Sequence, residues 1–288
     1  MRAVFKHELS SYFTSLIGYV FGAFLLLFAG IYTMIVNINS KLTNFEYIFG
    51  NMSFVFLVIV PVLTMRVLAE ERRQKTDQLL YALPLSMTKV VLGKYLAMLV
   101  MLVIPMAIVC LYPLILSAYG NIDFTMVLNG ALGFFLLGAA LLAIGMYVSS
   151  LTENQAISAG LCFVVMLIIY YMASLANYVP TTPIASVLCM SIVILLIVMI
   201  VRNMTKNDFI AAISGMVLET ILLLLFILNR DSFEGLFATS VAQMSLFERF
   251  YIFVYGICDL GSIVYFLSVV AVFLFLSVQS MEKRRWSE

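Results

Sequence analysis

The residues best equipped for chemistry lie between positions 69 and 94, in "AEERRQKTDQLLYALPLSMTKVVLGK". Eight charged residues gather there, in a chain of 288 residues that is only 11% charged. The adjacent acids Glu70 and Glu71 would suit a general base or a metal site, but the sequence gives them no catalytic partner. The only histidine is His7, near the N-terminus, so a His-assisted base or metal site is absent. Cys110, Cys162, Cys189 and Cys258 are widely spaced, without a Cys-x-x-Cys or a Cys/His pair, which argues against a zinc site and a disulfide framework. "LGK" at 92–94 is not a phosphate loop, because Thr88 stands where the first glycine of Gly-x-x-x-x-Gly-Lys belongs. Any ATP chemistry must come from a partner.

The segment reads better as a surface than as a site. From Ala69 to about Tyr81 it suits a helix, with Glu70 and Glu71 near its start and Glu71 able to pair with Lys75 four residues on. Leu79, Leu80 and Leu83 form an apolar edge. Pro84 then stops the helix and biases Leu83 toward an extended backbone. Ser86 can cap a second helix that runs through "MTKVVLGK". A loop that merely fixes topology needs Lys and Arg, but it does not need paired acids or a leucine-rich end. A docking surface for a cytosolic partner accounts for both.

The elements that must carry this surface are membrane helices. The chain is 64% hydrophobic, where a soluble domain is about 45–50% apolar. Eight apolar runs reach spanning length: 16–36, 52–68, 95–118, 126–149, 156–176, 184–201, 209–228 and 261–278. Between 156 and 201, two short spans and one span plus a re-entrant segment both fit. The expected fold is all-α, a single transmembrane domain over 1–288. Residues 1–15 would lie as a short amphipathic helix on the membrane surface, without a cleavable signal peptide. With the N-terminus inside and eight spans, 13 of the 16 Lys and Arg fall on the inner side; Lys41, Arg230 and Arg249 fall outside. Both termini and the charged segment are then cytoplasmic, in a multi-pass protein of the cell membrane.

Two further places invite a role. Glu219 lies near the middle of the seventh run. A carboxylate there costs roughly 2.5–3.5 kcal/mol on insertion scales, so it should face protein or a wet cavity. It reads either as a polar contact in a transport path or as a structural hydrogen bond. Residues 229–260 form the longest outer segment, and Phe247, Phe250, Tyr251 and Phe253 alternate with Glu248 and Arg249 as in an interface-lying helix. Gly18 and Gly22 form a Gly-x-x-x-Gly in the first run.

"LAEERRQKTDQLLYALPLSMTKVVLGKYLA" (68–97) resembles the cytoplasmic loop of type-2 ABC exporter permeases. Glu70, Glu71, Arg72, Leu79, Leu80, Leu83, Pro84, Ser86, Gly93 and Lys94 match its pattern, while Gln78 stands where an acid is common. "SLTENQ" (150–155) is a further match. Phe247, Arg249, Phe250, Gly256, Asp259, Leu260, Tyr265, Arg284 and Trp286 resemble the end of the gliding-motility-type branch. The resemblance implies a permease driven by cytosolic ABC ATPase subunits, which would hold the ATP and Mg; no cofactor is expected in this chain. It implies that 69–94 is a coupling segment, in which Glu70, Glu71, Arg72, Arg73, Leu79, Leu80, Leu83 and Pro84 do the docking. It implies a six-span core with two spans added, an elbow helix over 1–15, and re-entrant helices in 229–260 that close an outer mouth. Phe247, Arg249, Phe250, Gly256 and Asp259 would sit at that gate.

The expected partners are the ATPase, a second permease chain (identical or related), membrane lipid and, as a further candidate, an extracytoplasmic accessory subunit; nucleic acid is not among them. Two other readings stand beside this one, and a third, an intramembrane protease, is excluded. A stand-alone channel or secondary transporter would line its midplane with ionisable groups, of which Glu219 is the single candidate. A non-transporting anchor for an ATPase would share the docking segment. An intramembrane protease of the CAAX type carries Glu-Glu-x-x-x-Arg, and here the last position is Lys75.

Overall fold

The computed structural model describes all residues except 74–85, 206–207 and 286–288. Helices make up its regular structure, and no strand occurs among the described residues. Helix α1 (Arg2–Thr14) leads into α2 (Leu16–Tyr32), which continues as a π-helical stretch over Thr33–Asn39. Short helices α3 (Glu46–Met52), α4 (Phe56–Thr64) and α5 (Ala69–Arg73) follow nearly end to end. Then come α6 (Met87–Val109), α7 (Tyr112–Leu116), α8 (Phe124–Leu151) and α9 (Gln155–Ala176). Beyond them lie α10 (Pro183–Thr205), α11 (Asp208–Leu228), α12 (Leu236–Gln243), α13 (Leu246–Val254) and α14 (Leu260–Arg285).

Among the described residues, six segments are long and apolar enough to cross a membrane: Leu16–Asn39, Glu46–Arg73, Met87–Leu116, Phe124–Leu151, Gln155–Ala176 and Leu260–Lys283. In α10 and α11, which run for 23 and 21 residues, the apolar stretches among the described residues are Pro183–Leu195 and Ala212–Leu228. Two of the expected runs begin earlier than their composition implied. The second starts at Glu46 rather than Met52, because Glu46 is buried and Asn44 Nδ2 donates to its Oε1 at 2.7 Å. The third starts at Met87 rather than Tyr95, because the helix that begins after Ser86 is continuous with the apolar run and its Lys94 is inside the bundle.

The chain divides into two compact units. The first comprises 1–170 and 249–288, the second 171–248. In the first, α8 is the central helix: 83% of its apolar window is buried, against 28% for the windows of the third and sixth spanning segments. It packs against α3, α4, α6 and α14. Small residues permit this. At Gly145 a Cβ would lie 2.7 Å from Thr64 Oγ1, and at Gly133 it would lie 2.6 Å from Phe253 Cβ, so only glycine admits those neighbours. Asp123 starts α8 by accepting from Thr125 N at 2.9 Å. Helix α1 lies along α6 and α2.

The Gly-x-x-x-Gly of the first run divides in two. A Cβ on Gly18 would meet the Tyr12 carbonyl at 2.4 Å, whereas Gly22 faces open space. In the second unit α10 and α11 pack together, and Arg202 Nε meets Asp208 Oδ1 at 2.6 Å on an exposed surface. Gly235, at φ +66°, opens α12, and its amide donates to Thr181 O at 2.8 Å.

Candidate functional site

At one end of the first unit, charged side chains from three helices and the turn before α5 meet at the described ends of the 69–94 segment. Lys94, on α6, has a side chain only 2% exposed. Its Nζ donates to Glu8 Oε1 at 2.7 Å, to Glu71 Oε1 at 2.7 Å and to Val67 O at 3.1 Å. An ammonium has three protons, and here each has an acceptor. The acceptors come from α1, from α5 and from the turn before α5. Burial of a charge in this way is tolerable because it is both paired and hydrogen-bonded.

The turn itself is held from a fourth direction. Between α4 and α5 the helical bonding lapses, which leaves backbone amides in need of acceptors. Ser149 Oγ, on α8, accepts from Leu68 N at 3.3 Å and from Ala69 N at 3.2 Å. Arg66 pairs with Glu70 one turn further on. Tyr12 is buried beside this cluster. Loss of water, and then the Glu8 carboxylate, push its phenol above its ordinary pKa and keep it neutral. On α6, Gly93 lets α1 come close: a Cβ there would lie 3.2 Å from Val4 Cγ1 and 3.3 Å from the Met1 carbonyl. The arrangement holds helices together through fixed charges and presents no nucleophile next to a base.

Residues 4–229 match the family described as ABC-2 family transporter protein. The chain belongs to that family. It is therefore the membrane-spanning permease component of an ABC transporter, a multi-pass membrane protein and not a catalytic subunit. Permeases of this family normally work with an ABC ATPase subunit. No curated protein matches the chain. The whole charged end of the permease, from Glu8 to Ser149, lies inside the matched residues.

The expected docking residues divide. Glu70 pairs with Arg66, and Glu71 is bonded to Lys94. Lys75, the partner expected for Glu71, lies outside the described residues, as do Leu79, Leu80, Leu83 and Pro84. Arg72 is buried and Arg73 is exposed. Ser86 stands at the N-cap of α6 in an extended conformation, but its hydroxyl makes no capping bond. Sequence reasoning missed Glu8, Tyr12 and Ser149 altogether. One signal was available: Glu8 is an acid in a helix expected to lie on a membrane surface, where basic residues are the useful ones.

The other end of α8 is aromatic. Helix α13 buries Phe250 and Phe253 fully. Phe134 of α8 stacks on Phe56 at 4.5 Å, on Phe49 at 5.6 Å and edge-on to Phe250 at 6.3 Å. Gly256 has φ +83°, and its carbonyl accepts from Asn129 Nδ2 at 3.0 Å, which ties the end of α13 to α8. Asp259 opens α14. It accepts from the Ser262 hydroxyl at 2.6 Å, Ser262 N at 2.8 Å and Gly261 N at 3.1 Å, bonds that hold its carboxyl below the usual range. The Arg249 guanidinium lies 4.3 Å from the Tyr265 ring centre.

Phe247 is buried. Glu219, on α11 in the second unit, is half-buried. The most deeply buried carboxylate of the described residues is instead Glu46, 3% exposed, at this aromatic end. Of the cysteines, Cys162 is buried with its sulfur 3.6 Å from Thr64 Oγ1, and Cys258 is exposed.

Proposed function

We propose that this permease belongs to an exporter, and that residues 69–94 form the coupling segment that docks against a cytosolic ATPase. Glu70, Glu71, Arg72 and Arg73 begin the docking surface; Leu79, Leu80 and Leu83 give it an apolar edge, and Pro84 turns the chain back toward α6. ATP and Mg belong to the partner. Two permease chains, identical or related, serve each ATPase dimer.

The chain crosses the cytoplasmic membrane eight times, with α10 and α11 as the sixth and seventh spans and both termini cytoplasmic. Helix α1 is the interfacial elbow. The residues around α13, with Phe247, Arg249, Phe250, Gly256 and Asp259, close the outer mouth in the manner of the gliding-motility-type branch. An extracytoplasmic accessory subunit would meet the permease there. Glu219 is a polar contact of the translocation path.

The observation that carries this reading is the root of the segment. The segment begins at a turn whose amides are fixed by Ser149, and its first helix is fixed by Lys94. A two-state, rigid-body switch driven by nucleotide in a partner needs a stiff connection of this kind, and a slack topological loop does not.

The test is purification of the tagged chain from native membranes in mild detergent, with identification of what co-elutes and its ATPase rate. Arg73→Glu is the probe, because Arg73 is exposed; Arg72 is buried, and reversing its charge would disturb the bundle as well. The expected result is an ATP-binding subunit that co-elutes with the native chain and is depleted from the variant. A native chain that elutes alone sinks the docking reading.

A further inference from the structure

Each of the three protons of Lys94 points to a different part of the fold. One arm reaches Glu8 in the middle of α1, one reaches Glu71 in α5, and one reaches the Val67 carbonyl in the turn that Ser149 also holds. The ammonium itself belongs to α6, whose first turns follow the charged segment directly. Lys94 therefore touches both flanks of residues 74–85: Glu71 before them and α6 after them.

Apolar contact alone would let these helices slide. Gly93 gives α1 a smooth seat on α6, with Val4 against it, and such a seat sets distance without setting register. Hydrogen bonds to a buried charge do set register, because displacement of any arm leaves a proton or a carboxylate unpaired away from water.

We propose that Lys94 is the positioning residue of the coupling apparatus: it makes α1, the root of the charged segment and the start of α6 move as one body, so that displacement of the segment is passed to both helices. Glu8 is the arm that carries the displacement to α1, and Glu71 is the arm that receives it. This inference rests on the docking role proposed for residues 69–94, and Lys94 itself touches neither the ATPase nor cargo.

The test is hydrogen–deuterium exchange on the complex of the permease with its ATPase, without nucleotide and with ATP plus vanadate. In the native complex the nucleotide-dependent change in exchange is expected in residues 2–14 and 87–101 together with the segment. Glu8→Met removes one arm and leaves Lys94 and Glu71 as a neutral pair; residues 2–14 should lose the response while 87–101 keep it. Lys94→Met should abolish the response in both, with the ATPase still bound and still hydrolysing ATP. A purely structural role for Lys94 predicts lowered thermal stability without this selective pattern.

If Lys94→Met fails to fold, the Glu8→Met pattern decides alone. A Glu8→Met complex whose 2–14 region responds as in the native complex overturns the proposal and leaves the docking reading intact. So does a native complex in which 2–14 never responds to nucleotide. Failure of the native complex to form removes the docking reading and this proposal with it, and that failure is seen before any variant is examined.

Discussion

Ser149 and Lys94 are both buried polar residues, yet they do different work and should respond differently to substitution. Ser149 Oγ accepts two backbone amides, Leu68 N and Ala69 N, so its hydroxyl replaces the helical acceptors that the turn between α4 and α5 lacks. Ser149→Ala removes an acceptor from two buried donors. A loss of about 1–3 kcal/mol is expected, read as a lowered thermal midpoint of the purified permease, with Ser149→Thr close to native. An unchanged midpoint in Ser149→Ala would mean that the turn finds another acceptor. Little of this was legible from sequence. Spacing shows which residues are neighbours within a helix, and so Glu71 was matched to Lys75. Lys75 lies outside the described residues; among those described Glu71 meets Lys94, 23 positions away, and Glu8, 86 positions from Lys94, completes the group. Contacts between helices leave no periodic trace in a single chain, and a lysine at the edge of an apolar run reads as the end of a span even when it is buried within one.

At the scale of elements, the sequence was most informative where a helix is apolar throughout and least where its ends are polar. The runs at 126–149 and 156–176 agree closely with α8 and α9, because nothing charged lies within them. The start of the second segment was missed because Asn44 and Glu46 look like loop residues until they are seen to satisfy each other. The seat of α13 also lay beyond sequence. Its aromatic and charged alternation fits a helix on the membrane surface as well as it fits one packed on protein, and the difference is made by Gly133, Gly50 and Asn129 on the receiving side. Gly133→Leu tests that seat. Even a Cβ at this position would stand 2.6 Å from Phe253 Cβ and 2.9 Å from its Cγ, so α13 or α8 must give way. Exchange protection of residues 246–254 should fall, while that of residues 2–14, about 30 Å away by the rise of α8, should not. Loss of protection at both ends would show instead that the substitution unfolds the bundle. Gly22→Leu is the matched control, since Gly22 faces open space on α2.

For the whole molecule, the open question of topology reduces to α10 and α11. Six and eight crossings both return the chain to the side on which it began, so the termini cannot distinguish them. What differs is the side on which the connection between α10 and α11 falls. If both helices cross, residues 203–205 lie with the N-terminus and the charged end of the first unit. If neither crosses, they lie on the opposite side, together with 177–182 and 229–235. The two helices, 23 and 21 residues long, are each long enough to span, so length allows both to cross. Charge favours two: Arg202 and Lys206 join the inner group if the helices cross and enter the outer face if they do not. Lys and Arg are the residues that gather on the cytoplasmic side, so the pair is best accommodated there. Length and charge are therefore both compatible with two further crossings. In a chain with Cys110, Cys162, Cys189 and Cys258 replaced, Asn203→Cys should resist a membrane-impermeant maleimide in intact cells and react once the membrane is opened. Asn229→Cys should react in intact cells. Reaction of both from outside would establish six crossings, with α10 and α11 lying against the outer face, and Glu219 would then be a surface residue with no place in a translocation path.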